Sequence, residues 1–378
     1  MLALGALVLC AGCGSTKAPS PAAASRTALP PAMSLAESAA TSQAAWAVLS
    51  MGAKSGANEF WQMFLLTTDS PQWKLGTPPD VATNGAPALA GLAGSGLIAG
   101  VRPSLYLNYS PVSRTSDGGK TWTAGPPAPG LASVPDALAA APGGSQMLAL
   151  SKSGRVAAAA ATGSEWRGLV TERSLAATPA GRACGLTTLT AVAYATAATP
   201  LVAGDCGKSG VAGIFVRSGS SWRAAGPTLP AALSGSPVRI LRLVASSSGT
   251  VTLLQTGTGG AARLVAGWRA DSGHWTLSPA LSLAGSNVRS TAFGAAGAAA
   301  ALLTNGSGAT IAGPSAAWRQ TPTVPAAPSA TLALPATGQV DALTAAGGTL
   351  TVWQLDRAGG SWTRAQVVKV PIQYGSSQ

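Results

Sequence analysis

The chain has 378 residues, 47% hydrophobic and only 10% charged, so it can bury a large core. Its 24 basic side chains exceed its 12 acidic ones to give a formal net charge of +12. They are scattered and accompanied by no recognition motif, which argues against nucleic acid as a partner. Abundant Gly (47) and Pro (27), with a single His, exclude a mainly helical body and a His-rich metal centre.

Residues 2–12 (LALGALVLCAG) form a short apolar run ending in small residues, the pattern of a signal-peptide core. Cys10 and Cys13 fall within this segment and at its end, so their spacing is not read as a redox or zinc motif. Small residues before a cysteine resemble the lipobox of bacterial lipoproteins. That resemblance implies cleavage after Gly12 and a lipid on Cys13; an ordinary cleaved signal peptide or an uncleaved anchor are the alternatives. Residues 13–33 then read as a flexible Pro/Ala/Ser tether.

The body, residues 34–373, reads as many short strands. Leu35–Thr41, Ala44–Met51, Phe60–Thr68 and Trp73–Leu75 are apolar or β-branched runs bounded by turn residues. Val101–Tyr109 brings together a cation (Arg102), two aromatics including Tyr106, and the amide of Asn108, in a chain with four Tyr in all. A second set runs through Leu189–Tyr194, Pro200–Gly204, Gly213–Arg217 and Trp222–Ala224. A third runs through Val238–Ala245, Thr250–Gln255, Ala262–Trp268 and Trp275–Leu277. Cys184 and Cys206 fall within one proposed blade. In an exported, oxidising compartment they are most simply a disulfide, worth roughly 3 kcal/mol in the chain-entropy model. Gly294–Leu303 is the most helix-like or membrane-like stretch, at about half the length a bilayer span needs.

These strand sets are paced by tryptophan. Trp73, Trp122, Trp166, Trp222, Trp275, Trp318 and Trp362 recur at intervals of 43 to 56 residues, each after a small polar turn. A repeat of that size made of four short strands predicts an all-β, single seven-bladed β-propeller with four-stranded antiparallel blades and no second domain. The Gln366–Ile372 stretch offers one way of pairing the last blade with the first.

Thr115-Ser-Asp117-Gly-Gly119-Lys-Thr121-Trp122 matches Ser/Thr-x-Asp-x-Gly-x-Thr-Trp and resembles the Asp-box (BNR) repeat of sialidases, sortilin-type receptors and photosystem II assembly factors. The physics of the turn is local. A short carboxylate accepts N–H groups of its own turn, Gly119 permits positive φ, and Trp122 packs between neighbouring sheets. The resemblance implies a structural role, at the turn between a blade's third and fourth strands and away from the active face. The other six copies keep the turn and the ring but lose part of the motif.

The usual propeller site lies at one channel mouth. The candidate ligand-binding residues there are Lys54, Glu59, Arg102, Tyr106, Asn108, Asp205 and Lys208. Inter-blade loops add Asp80, Asp136, Glu172, Arg173, Arg182, Arg239 and Arg289. The sialidase catalytic set, with three arginines, a Tyr–Glu pair and an Asp acid, cannot be assembled from this inventory. His274 sits in a worn turn beside Trp275 and reads as an exposed turn residue. No metal or cofactor is expected. The leading expectation is a monomeric, lipid-anchored binding or assembly module on the outer face of the cytoplasmic membrane. Its partner would be an envelope glycan, a peptide or a membrane protein. The alternatives are a carbohydrate hydrolase or lyase using Glu59, Asp136 or Asp205, for which two carboxyls roughly 5–9.5 Å apart are required, and a purely structural envelope protein.

Overall fold

The computed structural model describes residues 37–51, 60–76, 88–100, 112–124, 135–160, 165–246, 249–327, 330–346, 348–356 and 360–370. The signal-like segment and the tether lie outside them. The body is a seven-bladed β-propeller. Seven separate antiparallel sheets follow one another along the chain, over residues 37–75, 88–124, 137–171, 186–224, 238–277, 288–321 and 330–369. Each runs in sequence order from an innermost first strand to an outermost fourth. Blade five adds a short strand, Leu281–Ser282, beside its third.

Burial explains why these segments are strands. Second strands are covered on both sides and read as near-continuous apolar runs, as in Gly249–Thr256 and Ala299–Leu303. The latter corrects the helix-like reading of Gly294–Leu303. Residues 294–298 form a tight turn, with Gly297 N–H donating to Gly294 O at 3.0 Å, and Ala299–Leu303 is the second strand of blade six. Alanine's helix propensity is overridden because all five residues are buried between sheets. Small residues also dominate several innermost strands, such as Ala88–Gly91 and Ala137–Ala140. Small side chains let seven strands crowd one axis.

The cores lie between blades. Seven apolar clusters are found among the described residues, one at each junction of neighbouring blades. Each contains one tryptophan of the series, always from the later blade. In blades five, six and seven the indole N–H also fastens backward onto the preceding blade. Trp275 donates to Ala225 O (2.6 Å), Trp318 to Pro279 O (3.0 Å) and Trp362 to Pro322 O (3.0 Å). All three acceptors lie just after the outermost strand of the blade before.

At the seam the acceptor changes. Trp73 Nε1 donates to Asp341 Oδ2 of blade seven at 2.8 Å. Beside it the Gln366 amide accepts from Trp73 N–H (2.8 Å) and donates to Trp73 O (2.9 Å), so one side chain imitates a strand partner. This replaces the expected backbone pairing through Gln366–Ile372. Trp362–Lys369 pairs within its own blade, and among the described residues no strand is shared across the seam.

Asp341 is fully buried. Burial pushes its carboxyl up to about 6, against the opposing pull of the Trp73 and Gln354 side chains. The folded state therefore holds this proton more tightly than the unfolded chain does. The destabilisation is complete above about pH 6 and is relieved as pH falls toward 3.8, an effect of about 3 kcal/mol. Asp341→Asn keeps an acceptor for the indole and removes the titration. Urea unfolding at about pH 4 and about pH 7.5 should show a flatter stability profile for this variant than for the wild type; an unchanged slope would refute the assignment.

Candidate functional site

The two faces of the ring differ. The C-terminal ends of innermost strands from blades one, two, three, five and six converge on one small cavity of about 60 Å³. These strands therefore run parallel to one another, and all begin at the opposite, mouth face. The turns between third and fourth strands lie on the cavity side.

The Thr115–Trp122 segment forms such a turn, between Val112–Thr115 and Thr123–Ala124. Asp117 Oδ1 accepts from Thr121 N–H at 3.0 Å and from Thr115 Oγ1 at 2.8 Å, and Thr115 Oγ1 accepts from Gly119 N–H at 2.9 Å. The Thr121 hydroxyl, the Thr121 N–H and the Thr115 hydroxyl hold the carboxyl at about 2. Gly119 has φ +78°, and a Cβ there would lie 3.2 Å from the Trp46 ring. Trp46 meets Trp122 edge-on, with centroids 5.9 Å apart. Every hydrogen-bonding atom of Asp117 is thus spent inside its own turn, on the face away from the mouth.

In the channel, Arg242 of blade five donates to Thr291 O of blade six (3.4 Å) and to Ser38 O of blade one (3.0 Å), and lies over the Phe293 ring. Sequence reasoning passed over this residue. The available signal was a second cation, three residues after Arg239, in the middle of a mostly apolar innermost strand.

Among the described residues, the mouth face is seen over blades three to five. Two helices missing from the sequence reading, α1 (Glu172–Ala176) and α2 (Pro179–Cys184), connect blades three and four. Their signals were present. Thr171 and Thr178 are N-caps, Pro179 follows at the first helical position, and Gly185 closes α2 in the left-handed region. The Cys184–Cys206 disulfide joins the end of α2 to the end of the second strand of blade four, as expected from the sequence. Leu175 anchors α1 in the core below.

This frame positions three carboxylates. Glu172 Oε2 accepts from Leu189 N–H at 3.2 Å. Asp205, at the end of Thr199–Cys206, lies 3.5 Å from Arg239 Nε. Burial raises its pKa, opposed mainly by Arg239. Asp136, just before Ala137–Ala140, is likewise raised by burial, with Lys152 opposing. Around them Lys152, Arg155, Arg173, Arg182, Lys208 and Arg239 are exposed.

Of the sequence-derived ligand candidates, the structure therefore brings together Asp205 and Lys208, and adds Asp136, Glu172, Arg173, Arg182 and Arg239 from the inter-blade loops. Lys54, Glu59, Arg102, Tyr106, Asn108 and Asp80 lie outside the described residues, as does Cys13. His274 is exposed in its turn. No group of three or more potential metal ligands occurs among the described residues. No described helix is long and apolar enough to cross a membrane.

The sequence matches no protein-family model and no curated protein. Among solved structures it is similar to a protein from Lactobacillus plantarum, with 14% identity, 87% of this chain and 97% of that chain covered, and a TM-score of 0.51. It is also similar to hydrazine synthase of Kuenenia stuttgartiensis, with 10% identity, coverage of 92% and 97%, and a TM-score of 0.50. A third is YCF48 bound to a D1 peptide, with 13% identity, coverage of 77% and 81%, and a TM-score of 0.44. At these identities the likeness shows the fold alone.

Two outcomes test this geometry. Reducing Cys184–Cys206, or replacing both residues with Ser, should lower unfolding stability by about 3 kcal/mol, read as a shift in the denaturant midpoint. Asp117→Ala should speed amide exchange at Thr121 and Gly119 while leaving the mouth-face resonances in place; a shift of Lys208 or Arg239 signals would contradict the separation of the two faces.

Proposed function

We propose that the chain is an exported, membrane-tethered propeller of the Asp-box type that acts without catalysis, as a binding or assembly module for an envelope partner held over blades three to five. One observation carries this reading. Two of the three described carboxylates of the mouth are engaged, Asp205 with Arg239 and Glu172 with a backbone N–H, and the charge of Lys152 acts on Asp136. The exposed groups left to meet a ligand are chiefly cations. The lipobox-like residues before Cys13 support the tether, and the self-contained turn around Asp117 supports the repeat type. A rigid, disulfide-stapled platform suits capture, because little ordering entropy is lost on contact.

The raised pKa values of Asp136 and Asp205 favour a second reading, in which one of them serves as a general acid on a glycan. The two readings separate cleanly. The purified protein should retain envelope fragments without cleaving them, and Arg173→Glu with Lys208→Glu should weaken retention at least tenfold. Release of reducing sugar that Asp205→Asn or Asp136→Asn abolishes would establish the enzyme instead. In cells, Cys13→Ser should move the protein from the membrane to the soluble fraction; continued membrane residence would defeat the lipid tether.

A further inference from the structure

The first described strand, Glu37–Ala40, is the innermost strand of blade one, and its C-terminal end lines the cavity on the turn face. The chain therefore enters the propeller at the mouth face. Glu37, the first described residue, thus lies on the same side as Asp136, α1, α2 and Lys208.

Charge is also divided between the faces. The mouth face carries the exposed cations Lys152, Arg155, Arg173, Arg182, Lys208 and Arg239, against Asp136, Glu172 and Asp205. The turn face carries the exposed cations Lys120, Arg217 and Arg319, and its carboxylates are held by the turns themselves. Asp117 caps its own turn, Glu165 pairs with Arg167 at 2.7 Å, and Asp356 accepts from Gly360 N–H at 2.7 Å. Among the described residues, blades three to five thus present a cluster of exposed cations at the mouth.

We infer that the mouth face lies against the anionic lipid surface to which the chain is tethered, with these cations contacting phospholipid headgroups. The inference deepens the proposed function and rests on its tether. A lipid on Cys13 would therefore tether the propeller through its mouth face. Each cation brought to an anionic leaflet adds about 1 kcal/mol, lost on raising the salt. A partner held at the mouth is then met at the membrane surface.

The test uses the chain from residue 13 with Cys13→Ser, so that no lipid contributes. It is sedimented with phosphatidylcholine vesicles containing or lacking about 30% phosphatidylglycerol. Binding should require the anionic lipid and fall steeply with salt. A mouth-face triple variant, Lys152→Glu, Arg173→Glu and Lys208→Glu, should lose about a hundredfold in affinity. A turn-face triple, Lys120→Glu, Arg217→Glu and Arg319→Glu, changes net charge equally and should lose less than threefold. An environment-sensitive label at Ser153→Cys, but not at Ser272→Cys, should respond to the vesicles. No binding to anionic vesicles, equal losses in the two triples, or capture by a soluble acidic polymer in place of vesicles would each overturn the inference. Because the protein carries no anchor here, these failures are distinct from a failure of the Cys13 fractionation.

Discussion

The fold depends on tryptophan rings that fill the wedges between blades, four of which also send the indole N–H to an acceptor in the blade before. A tryptophan ring fills the wedge between two twisted sheets, and its buried donor cannot be left unpaired without cost. The acceptors within reach are carbonyls of the segment that leaves the blade before, at Ala225, Pro279 and Pro322. One side chain therefore supplies apolar area and direction together. In blades five, six and seven it fastens the blade to its predecessor, and at the seam the Trp73 indole does the same through a carboxylate. At the other junctions the ring packs between the sheets.

Much of this was legible because the joint has a sequence signature. The tryptophan period marked the blades, and β-branched runs marked strands such as Gly213–Ser218 and Trp275–Leu277 almost to the residue. Composition misled at Gly294–Leu303, where alanine serves close sheet packing rather than a helix. The α1–α2 connection was invisible to an all-β reading even though its caps were in plain sight. Asp341 and Arg242 escaped for a different reason. Their roles come from partners more than 200 residues away, Trp73 and Ser38, which no local pattern predicts.

The candidate site was less legible than the scaffold. Loop polarity singled out Asp205 and Lys208, but it could not show that Asp205 faces Arg239 or that Glu172 reaches Leu189. The division of charge between faces is likewise a property of topology. Scattered along the chain, the basic residues resemble a general solubilising bias; folded, Lys152, Arg155, Arg173, Arg182, Lys208 and Arg239 gather at one rim. The structural demand of the turns for carboxylates sorts the acids, and the functional surface is what remains.

The seam between blades seven and one has a consequence for how the molecule is made. Because, among the described residues, no strand is lent across the seam, blades one to six can each be complete as they leave the ribosome. Trp73 meanwhile waits for Asp341 and Gln366, which are synthesised last. Until then the growing arc has two free flanks, one at each end, that match each other and any other unfinished copy. Circularisation is thus the committing event of biogenesis, and a nascent chain stalled before residue 341 would be an open crescent with its indole still seeking a mate.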